Sequence, residues 1–223
     1  MDPAALRLSL WLATLTTALL VLLGVPLAHW LATSRFRLRF VVEAVVALPL
    51  VLPPTVLGFY LLVALAPRTP AGRAWEALAG RPFPFSFQGL LVASVLYSLP
   101  FAVQPIAAAF AAVDPRLVEA SHTLGISRIA TFFRVSIPLA WHGIVSGAVL
   151  AFAHTLGEFG VVLMVGGNVP GETRTLSIAI FDHVEALEYA AANRTAAFLL
   201  AVSFAVLVVV YAVQRRPLAW NAR

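Results

Sequence analysis

Five apolar runs, each long enough to cross a lipid bilayer as a helix, fix what this chain can become. A spanning helix needs about 20 mostly apolar residues, and such runs occupy residues 8–31, 41–66, 90–113, 137–165 and 195–213. Backbone polar groups at membrane depth must be satisfied within the chain, so these runs predict helices. The expected fold is an all-α polytopic membrane protein of about five, or six, transmembrane helices. A chain that is 61% hydrophobic and 11% charged cannot close around one small water-facing surface. With 223 residues there is no room for a sizeable soluble domain, so residues 1–223 read as one transmembrane domain. Water-soluble chemistry must then come from short loops or from partner chains. The absence of cysteine excludes a disulfide framework, a thiolate metal site and a cysteine nucleophile, and no other metal-ligand spacing is present.

A net charge of +5 raises the question of nucleic acid, but all 15 cationic residues are arginines lying mostly at span ends. They read as topology signals rather than as a binding face. Arg35, Arg37 and Arg39 follow the first run, Arg116, Arg128 and Arg134 lie between the third and fourth, and Arg215 and Arg216 follow the last. These places are expected in the cytoplasm, which puts the N-terminus and the loops 67–87 and 166–194 outside and the C-terminus inside. Arg68, Arg73 and Arg81 fall in an outer loop, so the bias is shallow. The first run is long and lacks a charged leader, which favours a retained helix over a cleaved signal.

Helix breakers inside the runs carry the next layer of information. Pro49, Pro53 and Pro54 remove donors from the second run, so that helix is kinked or locally unwound. Freed carbonyls are tolerated at depth only in packed protein or beside a wet cavity, and a packing kink and a place beside a pathway both fit. The third run holds Pro100, Gln104 and Pro105; the fourth holds Gly143, Ser146 and Gly147, small residues that permit close helix approach.

The fourth run ends in His154-Thr155-Leu156-Gly157-Glu158-Phe159-Gly160. A carboxylate in hydrocarbon costs about 3 kcal/mol, so Glu158 must face protein or water and find a partner. Three roles compete: an ion pair with a cation such as Arg174, a position at a gate, or catalysis with His154 one helical turn away. The catalytic role lacks a nucleophile elbow or a metal spacing among His142, Ser146, His154 and Glu158, and no catalytic residue is assigned. The flanking glycines predict a broken helix.

One amphipathic stretch, residues 114–138, interrupts the apolar pattern. Asp114-Pro115 is a helix start signal. Leu117, Ala120, Leu124 and Ile129 then alternate with Glu119, Ser121, His122 and Arg128, and Gly125 supplies a turn. A short second run leads to Pro138. Such a stretch either lies on lipid headgroups or is held by a partner.

Glu119-Ala120-Ser121, Gly125 and Val135-Ser136-Ile137-Pro138 resemble the EAA loop of ABC importer membrane subunits: Glu-Ala-Ala, three residues, Gly, nine residues, Ile, any residue, Leu-Pro. Ser121, Val135 and Ile137 are conservative departures from that pattern. The likeness runs along nearly the whole chain. Leu48-Pro49-Leu50-Val51-Leu52-Pro53-Pro54, the Leu156 to Gly160 element and Pro170-Gly171-Glu172-Thr173-Arg174-Thr175 resemble the molybdate branch, although sulfate permeases share the Leu-Gly-Glu-aromatic-Gly element. Tungstate and sulfate remain as alternative substrates.

The resemblance implies a type I ABC importer permease in the bacterial inner membrane. Two copies would enclose the pathway as a homodimer, cytoplasmic ABC ATPases would supply ATP and magnesium chemistry, and an extracytoplasmic binding protein would deliver the oxyanion. It implies that Glu119, Ala120, Ser121, Gly125 and Pro138 belong to a coupling helix seated on the ATPase. No phosphate-binding Gly-rich loop occurs in this chain, so no cofactor is expected on it. A dianion that must be released is expected to meet N–H groups and hydroxyls rather than fixed arginines. Pathway and gate candidates are Pro53, Pro54, Thr55, Ser98, Ser146, Thr155, Gly157, Glu158, Phe159 and Gly160.

Overall fold

The computed structural model describes residues 2–214, and every regular element among them is helical. Arg215 and Arg216, the last topology signals, lie outside the described residues. α1 (Pro3–Thr33) begins where the Asp2 carboxylate accepts from the Ala4 and Ala5 amides, with Pro3 at the first helical position. α2 (Arg39–Ala47) continues into a tight turn at Leu48–Leu50, and α3 (Pro54–Ala64) leaves at 110° to it. α4 (Pro70–Ala79) lies between the second and third apolar runs. α5 (Phe87–Ala111), capped by Ser86, runs unbroken through Pro100 and Pro105.

The amphipathic stretch forms α6 (Pro115–Thr123), α7 (Arg128–Thr131), a π-turn (Phe132–Ser136) and α8 (Ile137–Leu139). α9 (Trp141–Gly157) departs at 73°. α10 (Gly160–Gly166), α11 (Leu176–Glu185) and α12 (Tyr189–Gln214) complete the chain. Among the described residues three helices are long and apolar enough to cross a bilayer, and up to five spans result when each bent pair counts as one.

α1, α5 and α9 form the central bundle. Leu20, Ala102 and Ala151, one from each helix, meet in a fully buried layer. Gly143 and Gly147 let α9 lie against the α5 backbone, since a Cβ at Gly147 would stand 2.6 Å from the Ala102 carbonyl. Gly143 and Gly147 are therefore packing residues. A second cluster joins Leu12, Leu90 and Ala93 to Val161, Val162 and Val165 of α10. α3 packs on α10 through Gly58, whose Cβ would come within 2.7 Å of Met164.

The apolar runs located the spans but not their ends. The fourth run, expected over 137–165, is divided into α8, α9 and α10, because Pro138 lies in the bent segment that leads into α9 and Glu158-Phe159 interrupts the other end. The loops 67–87 and 166–194 both carry helices that the apolar pattern did not announce. α4 is capped by Thr69 and α11 by Thr175.

Candidate functional site

Two helix breaks meet inside the bundle. Pro53 adopts φ −55°, ψ 136°, the extended geometry that a following proline enforces, and Pro54 opens α3 with no side-chain cap on its first amides. Thr55 is exposed beside this break. In the other break Gly157 ends α9, Glu158 is extended at ψ 135°, and Phe159 precedes α10. A Cβ on Gly160 would stand 2.6 Å from Pro54 Cβ, so glycine there is what allows the two breaks to touch.

Glu158 is buried, and its Oε1 accepts a hydrogen bond from the Val161 amide at 2.9 Å. It caps α10, one of the few ways to satisfy a carboxylate at depth. The expected ion pair with Arg174 does not form. Arg174 Nε donates to Asn168 Oδ1 at 2.6 Å, and its guanidinium lies 3.4 Å from Asp182, which also accepts from Asn168. Phe159 packs on Phe181 of α11.

Ser98 on α5 and Thr155 on α9, both listed by sequence reasoning for different spans, are brought together with Oγ atoms 2.8 Å apart. His154 Nδ1 lies 2.9 Å from the same Ser98 hydroxyl, and its ring stacks on Phe101 with centroids 3.8 Å apart. Ser146 is buried lower on α9, outside this group. His142 and Glu158 share one helical direction 16 residues apart, about 24 Å along the axis, so they cannot act on one substrate atom. Among the described residues no group of three His, Cys, Asp or Glu side chains is placed to hold a metal.

Sequence reasoning missed how this region continues along α5. Tyr97, Phe101, Gln104 and Ala108 share one face of that helix, half-buried at Tyr97 and Phe101 and exposed at Gln104 and Ala108. Beyond Gln104 lies a cavity of 390 Å³ lined also by Arg39 and Glu43 of α2, which pair at 3.0 Å. An exposed amide within an apolar helix was the available signal, because such a group avoids lipid.

The amphipathic stretch is held as one unit. Asp114 accepts from the Arg116 amide at 2.9 Å, and Gly125 turns the chain at φ +77°. The Gly125 and Ile126 amides close back onto the His122 and Ser121 carbonyls. Ser121 donates to the Val118 carbonyl or pairs with Thr131 Oγ1 at 2.9 Å, pinning α6 to α7. Glu119 and Ala120 are exposed, together with Leu124 at 80% and Ile129 at 73%. Apolar side chains exposed together in this way mark a surface that meets lipid or a partner.

The outer-loop string has a structural use. Thr173 Oγ1 donates to the Gly166 carbonyl at 2.6 Å and accepts from the Val169 amide, Arg174 joins Asn168 and Asp182, and Thr175 caps α11. Pro170, Gly171 and Glu172 are exposed at its tip, with Gly171 at φ +80°.

Apolar helices broken where they meet, with a buried carboxylate capping the helix after the break and an amphipathic loop between two spans, fit a multi-pass membrane transport subunit. The chain belongs to the family described as binding-protein-dependent transport system inner membrane component, which matches residues 10–218. It is 55% identical over 214 residues to the molybdenum transport system permease protein of Azotobacter vinelandii, covering 96% of this chain and 95% of that one. Against the Escherichia coli K12 protein of the same description, identity is 38% over 181 residues, 81% of this chain and 79% of that one. A solved bacterial ABC transporter for alginate import shares the fold at TM-score 0.77 and 17% identity, covering 96% of this chain and 80% of that one. The MetNI methionine ABC transporter shares it at 0.68 and 19%, with 95% of each chain covered.

Proposed function

We propose that this chain is the membrane-spanning permease subunit of an ATP-driven molybdate importer. The observation that carries the substrate is 55% identity along nearly all of the chain to a protein named for molybdenum transport. The geometry supports an oxyanion: the route past the two helix breaks offers the exposed Thr55 hydroxyl, an uncapped α3 start and an arginine already paired with Glu43, groups that bind a dianion without trapping it.

In this reading residues 1–223 form one permease domain and two copies enclose the pathway. Glu119 and Ala120 make the docking contacts with a cytoplasmic ATPase, Gly125 sets the bend, and Ser121 and Pro138 fix the loop against the bundle. ATP and magnesium bind to that partner, and an extracytoplasmic binding protein supplies the anion. Arg35, Arg37, Arg39, Arg116, Arg128 and Arg134 face the cytoplasm, with the N-terminus outside and the C-terminus inside. Closure of the ATPase pair draws the two loops together and opens the breaks at Pro53-Pro54 and Gly157-Gly160 outward; hydrolysis reverses this.

The test is complementation of a bacterium whose own molybdate permease gene is deleted. Expressed with its ATPase and binding protein, the chain restores molybdoenzyme activity at limiting molybdate and leaves sulfate uptake unchanged. Restored growth on limiting sulfate with no molybdoenzyme activity would assign the alternative oxyanion.

A further inference from the structure

We infer that His154 is an anion-contacting residue of the pathway, presenting an uncharged Nε2–H donor whose tautomer is set by Ser98 and Thr155. This rests on the oxyanion-importer reading and adds to it a residue that selects for the anion.

Three hydroxyl or ring groups share two hydrogen bonds: Thr155 Oγ1 to Ser98 Oγ at 2.8 Å, and Ser98 Oγ to His154 Nδ1 at 2.9 Å. Each hydroxyl has one hydrogen to give. If Thr155 donates to Ser98 and Ser98 donates to Nδ1, both hydroxyl hydrogens are used and the ring hydrogen lies on Nε2. If Nδ1 carries the hydrogen and donates to Ser98, the two hydroxyls can share only one further hydrogen bond, and the hydrogen of Ser98 or of Thr155 has no acceptor within the group. Thr14, Thr17 and Thr33 donate to carbonyls of their own helix, but Thr155 makes no such bond, and both Ser98 and Thr155 are buried. An orphaned buried donor is the costlier state, so the first arrangement prevails.

The ring is also held in place. Phe101 stacks on it at 3.8 Å and 22°, and Tyr97 lies 5.2 Å away. Among the described residues Nε2 has no hydrogen-bond partner, and the ring is only half-buried. From α9 it packs on Phe101, on the face of α5 that becomes exposed at Gln104, one turn from the break at Glu158. A fixed N–H without formal charge beside that break suits a tetrahedral dianion that must bind and then leave.

The test uses the whole transporter in proteoliposomes with its ATPase and binding protein, and reads molybdate moved per ATP hydrolysed. H154F keeps an aromatic ring against Phe101 but removes the donor; H154Q loses the ring and keeps an N–H. The expected result is a fall of about tenfold for H154F, the size of one hydrogen bond to an ion, with H154Q closer to wild type. H154F equal to or better than H154Q would show a packing role and overturn the inference. A second reading needs no variant: nitrogen NMR of the wild-type complex, with His154 assigned as the one histidine between alanine and threonine, is expected to place its hydrogen on Nε2. A hydrogen on Nδ1 overturns the inference. A wild-type complex that moves sulfate and not molybdate would instead overturn the substrate assignment, and the same order of variants would then be read on sulfate.

Discussion

Gly125 separates two explanations of why a coupling loop needs glycine. Its φ of +77° lies in the left-handed region, and a Cβ added there meets nothing within 4 Å. Within the subunit, substitution therefore costs backbone strain and no collision. That strain is about 1–2 kcal/mol for an ordinary L-residue and less for asparagine, which enters the left-handed region readily. The bent loop is the form that would dock on the ATPase, so a penalty of that size reduces its share by up to about 30-fold and raises the apparent Kd by the same factor. Gly125→Ala and Gly125→Leu should weaken binding of the purified ATPase to the permease in nanodiscs by similar amounts. Gly125→Asn should stay within about threefold of wild type. If Asn and Ala are equally damaging while Leu is far worse, the glycine is required by close contact with the partner and the backbone reasoning fails.

Other substitutions test the remaining contacts. Gly160→Ala forces a Cβ towards Pro54, an overpacking of about 1–3 kcal/mol that should separate the two breaks and depress uptake while co-purification with the ATPase persists; normal uptake would show that the breaks need not touch. Glu158→Gln keeps an oxygen for the Val161 amide and Glu158→Leu does not, so uptake should survive better in the Gln variant. Equal loss in both would make the charge, and not the cap, the essential property. Ser121→Ala orphans the buried Thr131 hydroxyl at about 1–3 kcal/mol, and adding Thr131→Val should recover part of the loss in thermal stability. Strict additivity of the two changes would exclude the pin between α6 and α7.

The spans and the amphipathic interruption were legible because burial in lipid writes itself as uninterrupted apolar sequence, and Asp114-Pro115 and Gly125 are local signals read at their own positions. The breaks at Pro53-Pro54 and Gly157-Gly160 were legible for the same reason. Their meeting was not, because the 110° turn between α2 and α3 is set by packing on α10 and not by proline alone. Ser98 and Thr155 were chosen singly as hydroxyls in different spans; their pairing through 57 residues of separation is a tertiary fact. Arg174 was placed against Glu158 by charge alone, whereas Asn168 and Asp182 nearby in the outer segment satisfy it first. Glu158 found its partner three residues away, in the Val161 amide of the helix that resumes after the break.

The central claim is that this chain carries molybdate across a membrane under the drive of an ATPase docked on residues 114–138. Its most direct test is uptake of radiolabelled molybdate into proteoliposomes holding the chain, its ATPase and its binding protein. Accumulation against a gradient that requires ATP, and that charge reversal at Glu119 abolishes without releasing the chain from the membrane, is the predicted result. Accumulation that proceeds without ATP, or that is unchanged by Glu119→Lys, would contradict it.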